Sequence, residues 1–187
     1  LLHRYVALRK RALGLPDVLL CRGSYQFSPE LPFSPGMEAA GVVTAVGDAA
    51  DASPMGQRVV GVPALPHGAL AEECIIACDN TYLVPDSVDD VTAVASHIAG
   101  TTAHIALHRR AQLQAGETLL VHAGAGGTGS AAIQIGRLAG ARVIATAGSA
   151  ERAGVCRDLG AQIAIDYTSD DIAANVLDAT EGRGADV

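Results

Sequence analysis

Residues 119–136, LLVHAGAGGTGSAAIQIG, constrain this chain more than any other stretch, with five glycines and no Asp, Glu, Lys or Arg. Residues 118–122 read as a short buried strand, and residues 127–138 carry apolar side chains at helical spacing. Gly124-Ala125-Gly126-Gly127-Thr128-Gly129 therefore fits G-x-G-x-x-G between a strand and a helix, the context that lifts this motif above its weak stand-alone value. Its first glycine is expected to permit a tight turn, the second to let a pyrophosphate touch the backbone, and the third to let helix and strand pack closely. The unpaired amides and the positive end of the helix dipole then receive the anion. Glycines that serve packing alone are the plainer alternative, and the surrounding alternation of elements argues against it.

That alternation runs from about Ser87 onward. Residues 142–147 form a second apolar run, residues 149–159 a polar–apolar helix stopped by Gly160, and residues 161–166 a third strand. Thr168-Ser169-Asp170-Asp171 has the form of a capping box opening a third helix. A βαβα series of this kind predicts a parallel sheet covered by helices. Before Ser87 the chain differs, with Pro and Gly every few residues and short β-rich runs at 41–46 and 57–62, which predicts an irregular, mostly β domain. The boundary is expected at 86/87, where VPDSVDD offers a Pro turn and an N-cap for a helix running toward Ile98. The chain opens on Leu and stops after Asp186 and Val187, which look like the start of a fourth strand, so a fragment is expected.

Composition removes several function classes. Net charge −7 repels a phosphate backbone and only 3% of residues are aromatic, so nucleic acid is not an expected partner. No apolar run reaches the roughly 18 residues of a membrane helix. Four unevenly spaced cysteines, 21, 74, 78 and 156, favour reduced thiols in a cytoplasmic setting. The single lysine, Lys10, excludes a GK[ST] phosphate loop, a lysine Schiff base and a Tyr-x-x-x-Lys pair. A site selective for NAD needs an acid at the end of the second strand for the ribose 2′-hydroxyl, and Ala147-Gly148-Ser149 stands there instead, with Arg152 just beyond. NADPH is therefore the expected cofactor, with a solvated helix residue as the alternative for Arg152.

PFSPGMEAAGVVTAVGD, GTTAHIAL, AGETLLVHAGAGGTGSAAIQIGRLAGARVIATAGSAER and DLGAQIAIDYTSDD, in that order and spacing, resemble the quinone oxidoreductase (zeta-crystallin-like) branch of the medium-chain dehydrogenase/reductases across residues 14–187. The resemblance implies an α/β architecture: an incomplete, doubly wound Rossmann sheet (87–187) preceded by a GroES-like, mostly β domain (1–86), with NADPH in the cleft between them. It implies that Gly126, Gly127, Thr128 and Gly129 carry the pyrophosphate, with Gly124 opening the loop. Arg152 would read the 2′-phosphate, with Ser149 among the cofactor-binding residues, Tyr167 would lie by the adenosine phosphate, Thr102 near the nicotinamide, and Tyr25 in CRGSYQ would face the substrate. Relatives of this branch are commonly dimers, so a homodimer is implied for the full-length protein.

Departures from the family bear on chemistry. Zinc-type relatives carry Cys ahead of the early-loop Asp and His in a GHE motif, whereas this chain has LGLPD and Met37 in PGMEAAG, so no metal is expected. The Asn-Pro of many reductases is replaced by Gly14-Leu15, and the basic segment 1–11 does not follow the family's alternating strand, so it is expected to be a disrupted start or a solvated arm. Without a Lewis acid, hydride transfer must rely on positioning and hydrogen bonds to the developing oxyanion, which suits quinones and conjugated carbonyls. His67, His97 and His104 lie on separate elements and are expected in core or surface roles. The alternatives are a truncated nucleotide-binding module, a zinc-type relative without turnover and, further off, a methyltransferase.

Overall fold

The computed structural model describes residues 3–47 and 55–187. The chain divides into two compact units, Leu1–Ile98 and Ala99–Val187.

In the first unit, β1 (His3–Ala12), β2 (Glu38–Val46), β3 (Arg58–Pro63) and β4 (Glu73–Leu83) close into an antiparallel barrel. Closure comes from β1, which pairs with β2 on one side and β4 on the other, leaving no open edge. Val6, Val43, Val59, Cys74 and Ile76 point inward and form the core. The basic opening segment is thus a strand and not an arm, while Leu1 and Leu2 of that segment, and Asp48 at the end of the PFSPG motif, lie outside the described residues. Its charges conceal the strand in the sequence, and partners elsewhere accommodate them: the Arg4 guanidinium donates to the Cys78 carbonyl at 3.2 Å, Arg11 donates to Ala71 at 2.6 Å, and Arg9 lies 3.8 Å from the Asp90 carboxylate. A short helix, α1 (Leu15–Cys21), links β1 toward β2. The next helix, α2 (Asp90–His104), is capped from within the VPDSVDD segment, by Asp89. The Asp89 carboxylate accepts from the Thr92 amide at 2.8 Å and the Thr92 hydroxyl at 3.1 Å.

In the second unit, β5 (Thr118–Val121), β6 (Arg142–Ala147) and β7 (Ile163–Asp166) form a parallel sheet in that order, alternating with α3 (Gly127–Leu138), α4 (Ala150–Asp158) and α5 (Ile172–Ala179). Every residue of β6 after Arg142 is buried, as a strand covered on both faces requires. The capping box does not form as written. Asp171 caps α5, accepting from the Ala174 amide at 2.9 Å, while the Thr168 hydroxyl and amide instead donate to the Asp166 carboxylate at 2.6 and 3.0 Å. The chain's last residues bond to the other edge of β5: the Leu120 amide donates to Val187 O at 2.8 Å, and the Asp186 amide donates to Thr118 O at 2.9 Å, whereas β6 reaches β5 through Glu117 O. Strand order thus reverses beside β5, and in open α/β sheets ligands bind beyond the carboxyl ends of strands at such a switch point.

Candidate functional site: the carboxyl ends of the parallel strands

At the end of β5 the chain turns through Ala123, whose φ of 52° lies in the left-handed region. The expected division of labour among the glycines is therefore altered: Ala123 makes the tight turn, and Gly124 is needed for space. A Cβ on Gly124 would lie 2.8 Å from Cys156 Sγ, 2.9 Å from Ile133 Cδ1 and 3.0 Å from Ala145 Cβ. Gly129 has the packing role expected of the third glycine, since its Cβ would stand 2.3 Å from the Ala123 carbonyl oxygen. Gly127 differs from both, because a Cβ there would meet nothing within 4 Å.

Gly126 is the N-cap of α3 and offers no side-chain cap. The helical ladder starts with the Ser130 amide donating to Gly126 O at 2.8 Å, so the amides of Gly127, Thr128 and Gly129 precede it and have no intrahelical acceptor. They border a crevice of about 450 Å³ whose walls include Leu107, Val121, His122, Ala132 and Val187. Predominantly apolar walls thus meet amides that converge at one end, and at Gly127 the backbone leaves open the space a side chain would otherwise fill.

A second corner forms at the ends of β6 and β7. Ser149 caps α4, its hydroxyl accepting from the Arg152 amide at 3.2 Å. Tyr167 follows β7, donates its amide to Ala147 O at 3.1 Å and lays its ring against Gly148, where a Cβ would lie 2.6 Å from the phenol oxygen. Ser149, Arg152 and Tyr167 are thus brought to the same corner, and Arg152 is exposed there. Two acids stand close to this corner. Glu151 is exposed in the first turn of α4. Asp166 is occupied by Thr168, whose hydroxyl and then amide hydrogen bonds hold its carboxyl below the usual range.

Of the remaining expected residues, Thr102 is exposed on α2 within the second unit, and Tyr25 belongs to the first. Tyr25 is half-buried after α1, its ring edge-on to Phe27 at 5.2 Å and 73°. His67 lies in the connection after β3, while His97 tilts against Tyr82 at 5.5 Å and its pKa is lowered by burial.

The alcohol dehydrogenase GroES-like domain family matches residues 5–115, and the zinc-binding dehydrogenase family matches residues 127–187. Quinone oxidoreductase-like protein 2 homolog of Nematostella vectensis is 38% identical over 183 residues, 97% of this chain and 50% of that protein. The chain belongs to the medium-chain dehydrogenase/reductase superfamily, in its quinone oxidoreductase branch. Two crystal structures share its fold: Pseudomonas syringae quinone oxidoreductase (TM-score 0.91, 36% identity, 98% of this chain and 56% of that one) and Escherichia coli quinone oxidoreductase complexed with NADPH (TM-score 0.89, 30% identity, 97% and 55%). This medium-chain dehydrogenase/reductase chain therefore spans about half the length of these three relatives. Its barrel is the GroES-like part, and its three-stranded parallel sheet is the incomplete Rossmann part.

Within this superfamily chain, sequence reasoning missed two features. Asp17 is 5% exposed in the barrel unit, its two carboxylate oxygens accepting the Gly14 and Gly36 amides at 2.9 Å each. It ties the Gly14 turn before α1 to Gly36 of the PGMEAAG motif. Burial, and then the Asp17 charge, push the Glu38 carboxyl up from 4.5 to about 7. His122 was also missed. Its Nδ1 lies 3.2 Å from the buried Thr146 hydroxyl on the wall of the crevice. Its place directly between strand and glycine turn was the available signal.

Proposed function

We propose that this chain is part of an NADPH-dependent oxidoreductase that reduces quinones or conjugated carbonyls without zinc. The observation that carries the reading is the pairing of uncapped amides at Gly127, Thr128 and Gly129 with a corner at Ser149, Arg152 and Tyr167, where β6 runs out through Ala147-Gly148-Ser149 without an acid. The first receives a pyrophosphate, and the second admits an additional phosphate on the adenosine ribose, which a carboxylate accepting the 2′-hydroxyl would repel. The NADPH named with the Escherichia coli quinone oxidoreductase supports the choice of cofactor.

Bound NADPH supplies the hydride. The chain's own groups bind and orient: Ser149 Oγ, the Arg152 guanidinium and Tyr167 at the 2′-phosphate, the glycine-turn amides at the pyrophosphate, and Thr102 beside the nicotinamide. Tyr25 donates its phenol hydrogen to the acceptor carbonyl as oxyanion character develops. The donor chemistry supports independence from zinc: Met37 offers a thioether where zinc-type relatives have His, and Leu15 and Pro16 precede Asp17 in place of the early-loop Cys. The first domain of the reading is residues 1–86 and the second 87–187. The full-length protein is a cytoplasmic homodimer in this reading.

Calorimetric titration of the chain with NADPH and NADH tests the binding claim, and NADPH oxidation with 1,4-benzoquinone tests turnover. Tighter binding of NADPH than NADH, together with quinone-dependent oxidation, is expected. Heat without oxidation would favour a nucleotide-binding module, and no heat with either nucleotide would overturn the reading.

A further inference from the structure

Six histidines occur in this chain, and two of them face each other with no other partner among the described residues. His104 is the last residue of α2, and His108 lies in the π-helical turn Ile105–Arg110 that continues it. Residues four apart share a helix face, and here the ring centroids are 4.8 Å apart at a 54° tilt. Both residues are exposed, and among the described residues neither ring nitrogen has a hydrogen-bond or ion-pair partner. By contrast, His97 packs on Tyr82 and His122 on Thr146.

We infer that His104 and His108 form a two-imidazole site for a borderline divalent transition ion such as Zn²⁺ or Ni²⁺. Imidazole nitrogen suits these ions, and a pair one turn apart presents two donors to one centre. Among the described residues no third His, Cys, Asp or Glu completes the set, so water fills the remaining positions and the ion exchanges readily. Arg109 and Arg110 follow directly and make the local charge positive. Attraction by charge therefore works against the site, and recognition rests on the strength of the metal–nitrogen bond. This discriminates against Mg²⁺ and Ca²⁺, which require oxygen donors. A bound ion pins the end of α2 to the π-helical turn, two residues beyond Thr102. The inference is independent of the dinucleotide reading.

Titration of the chain with ZnCl₂ and NiCl₂ in the absence of nucleotide is expected to show one ion bound per chain and a raised Tm, with no response to MgCl₂. His104→Gln and His108→Gln should each weaken binding at least about tenfold, since even the loss of an outer-shell partner costs 10–100-fold in metal affinity. Zinc should also shift the imidazole NMR signals of both residues in the unaltered protein, a readout that does not depend on the variants folding. His67 shares a barrel crevice with His3, and Cys21 is an exposed thiol, so both are competing sites. Zinc uptake that survives the double His104/His108 variant, or is lost instead in His67→Gln or Cys21→Ser, would overturn the inference, as would unmoved imidazole signals.

Discussion

The barrel and the parallel sheet both rely on glycine where two chain segments nearly touch, and each also holds a glycine open beside a crevice: Gly56 in the barrel unit, which its left-handed φ of 74° already requires, and Gly127 in the sheet unit, which no such φ requires. In the barrel, a Cβ on Gly41 would lie 2.1 Å from the Ala7 carbonyl oxygen of the neighbouring strand, inside the β1–β2 ladder. In the sheet unit, Gly129 is equally confined at 2.3 Å from Ala123 O, whereas Gly127, two residues away, is open. A glycine-rich sequence therefore mixes residues required by the fold with residues left free for a ligand, and what surrounds the absent side chain tells them apart. The units also treat charge differently. The barrel buries Asp17 and crowds Glu38 beside it, while the glycine turn and the end of β6 contain no carboxylate.

The sharpest way to break this contrast is to add a methyl group at each type of position. Gly41→Ala and Gly129→Ala should each cost about 3 kcal/mol in urea unfolding, the upper range for overpacking against atoms that cannot withdraw. Gly127→Ala should leave unfolding within about 0.5 kcal/mol of the parent. It should nevertheless weaken NADPH by about thirtyfold in calorimetry, or about 2 kcal/mol, the scale of a charge-assisted hydrogen bond. A Gly127→Ala protein that is destabilised like Gly41→Ala but binds normally would erase the distinction.

Arg152→Glu addresses the corner at the end of β6. It should lower NADPH affinity by about tenfold or more, or about 1.4 kcal/mol, and leave NADH nearly unchanged. Equal losses for the two nucleotides would remove Arg152 from the 2′-phosphate.

The smallest effect belongs to the barrel acid. Because the Glu38 carboxyl is raised in the folded state from 4.5 to about 7, the folded form prefers it protonated. That stabilising contribution is complete below 4.5 and is lost as pH rises through about 7. Stability should fall by about 1 kcal/mol across that window, a figure discounted for the side chain's partial exposure. Glu38→Gln should flatten the slope in unfolding curves taken at successive pH values, and an unchanged slope would assign it to other groups.

The α/β alternation was legible because each element carried its own period: α3 and β6 occupy the stretches that apolar spacing marks, and α4 fills the expected 149–159 span with its first residue, Ser149, as the cap. β1 was not legible. Four basic residues hide its strand character, and pairing with two neighbouring strands, together with the partners of Arg4, Arg9 and Arg11, overrides that composition. The cap of α5 moved from the start of the Thr168–Asp171 box to Asp171 for a related reason, since several polar residues compete locally and only geometry chooses among them.

The sequence by itself determined that a strand enters a glycine turn and leaves as a helix, and that no acid follows at the end of the next strand, because both are matters of residue type and short-range order. The tertiary structure decided which glycines are confined and which is open. It also gave the tight turn to Ala123, brought Ser149, Arg152 and Tyr167 to one corner, and buried Asp17 between two loops. These depend on atoms that meet across long stretches of chain, and only the folded packing fixes such distances.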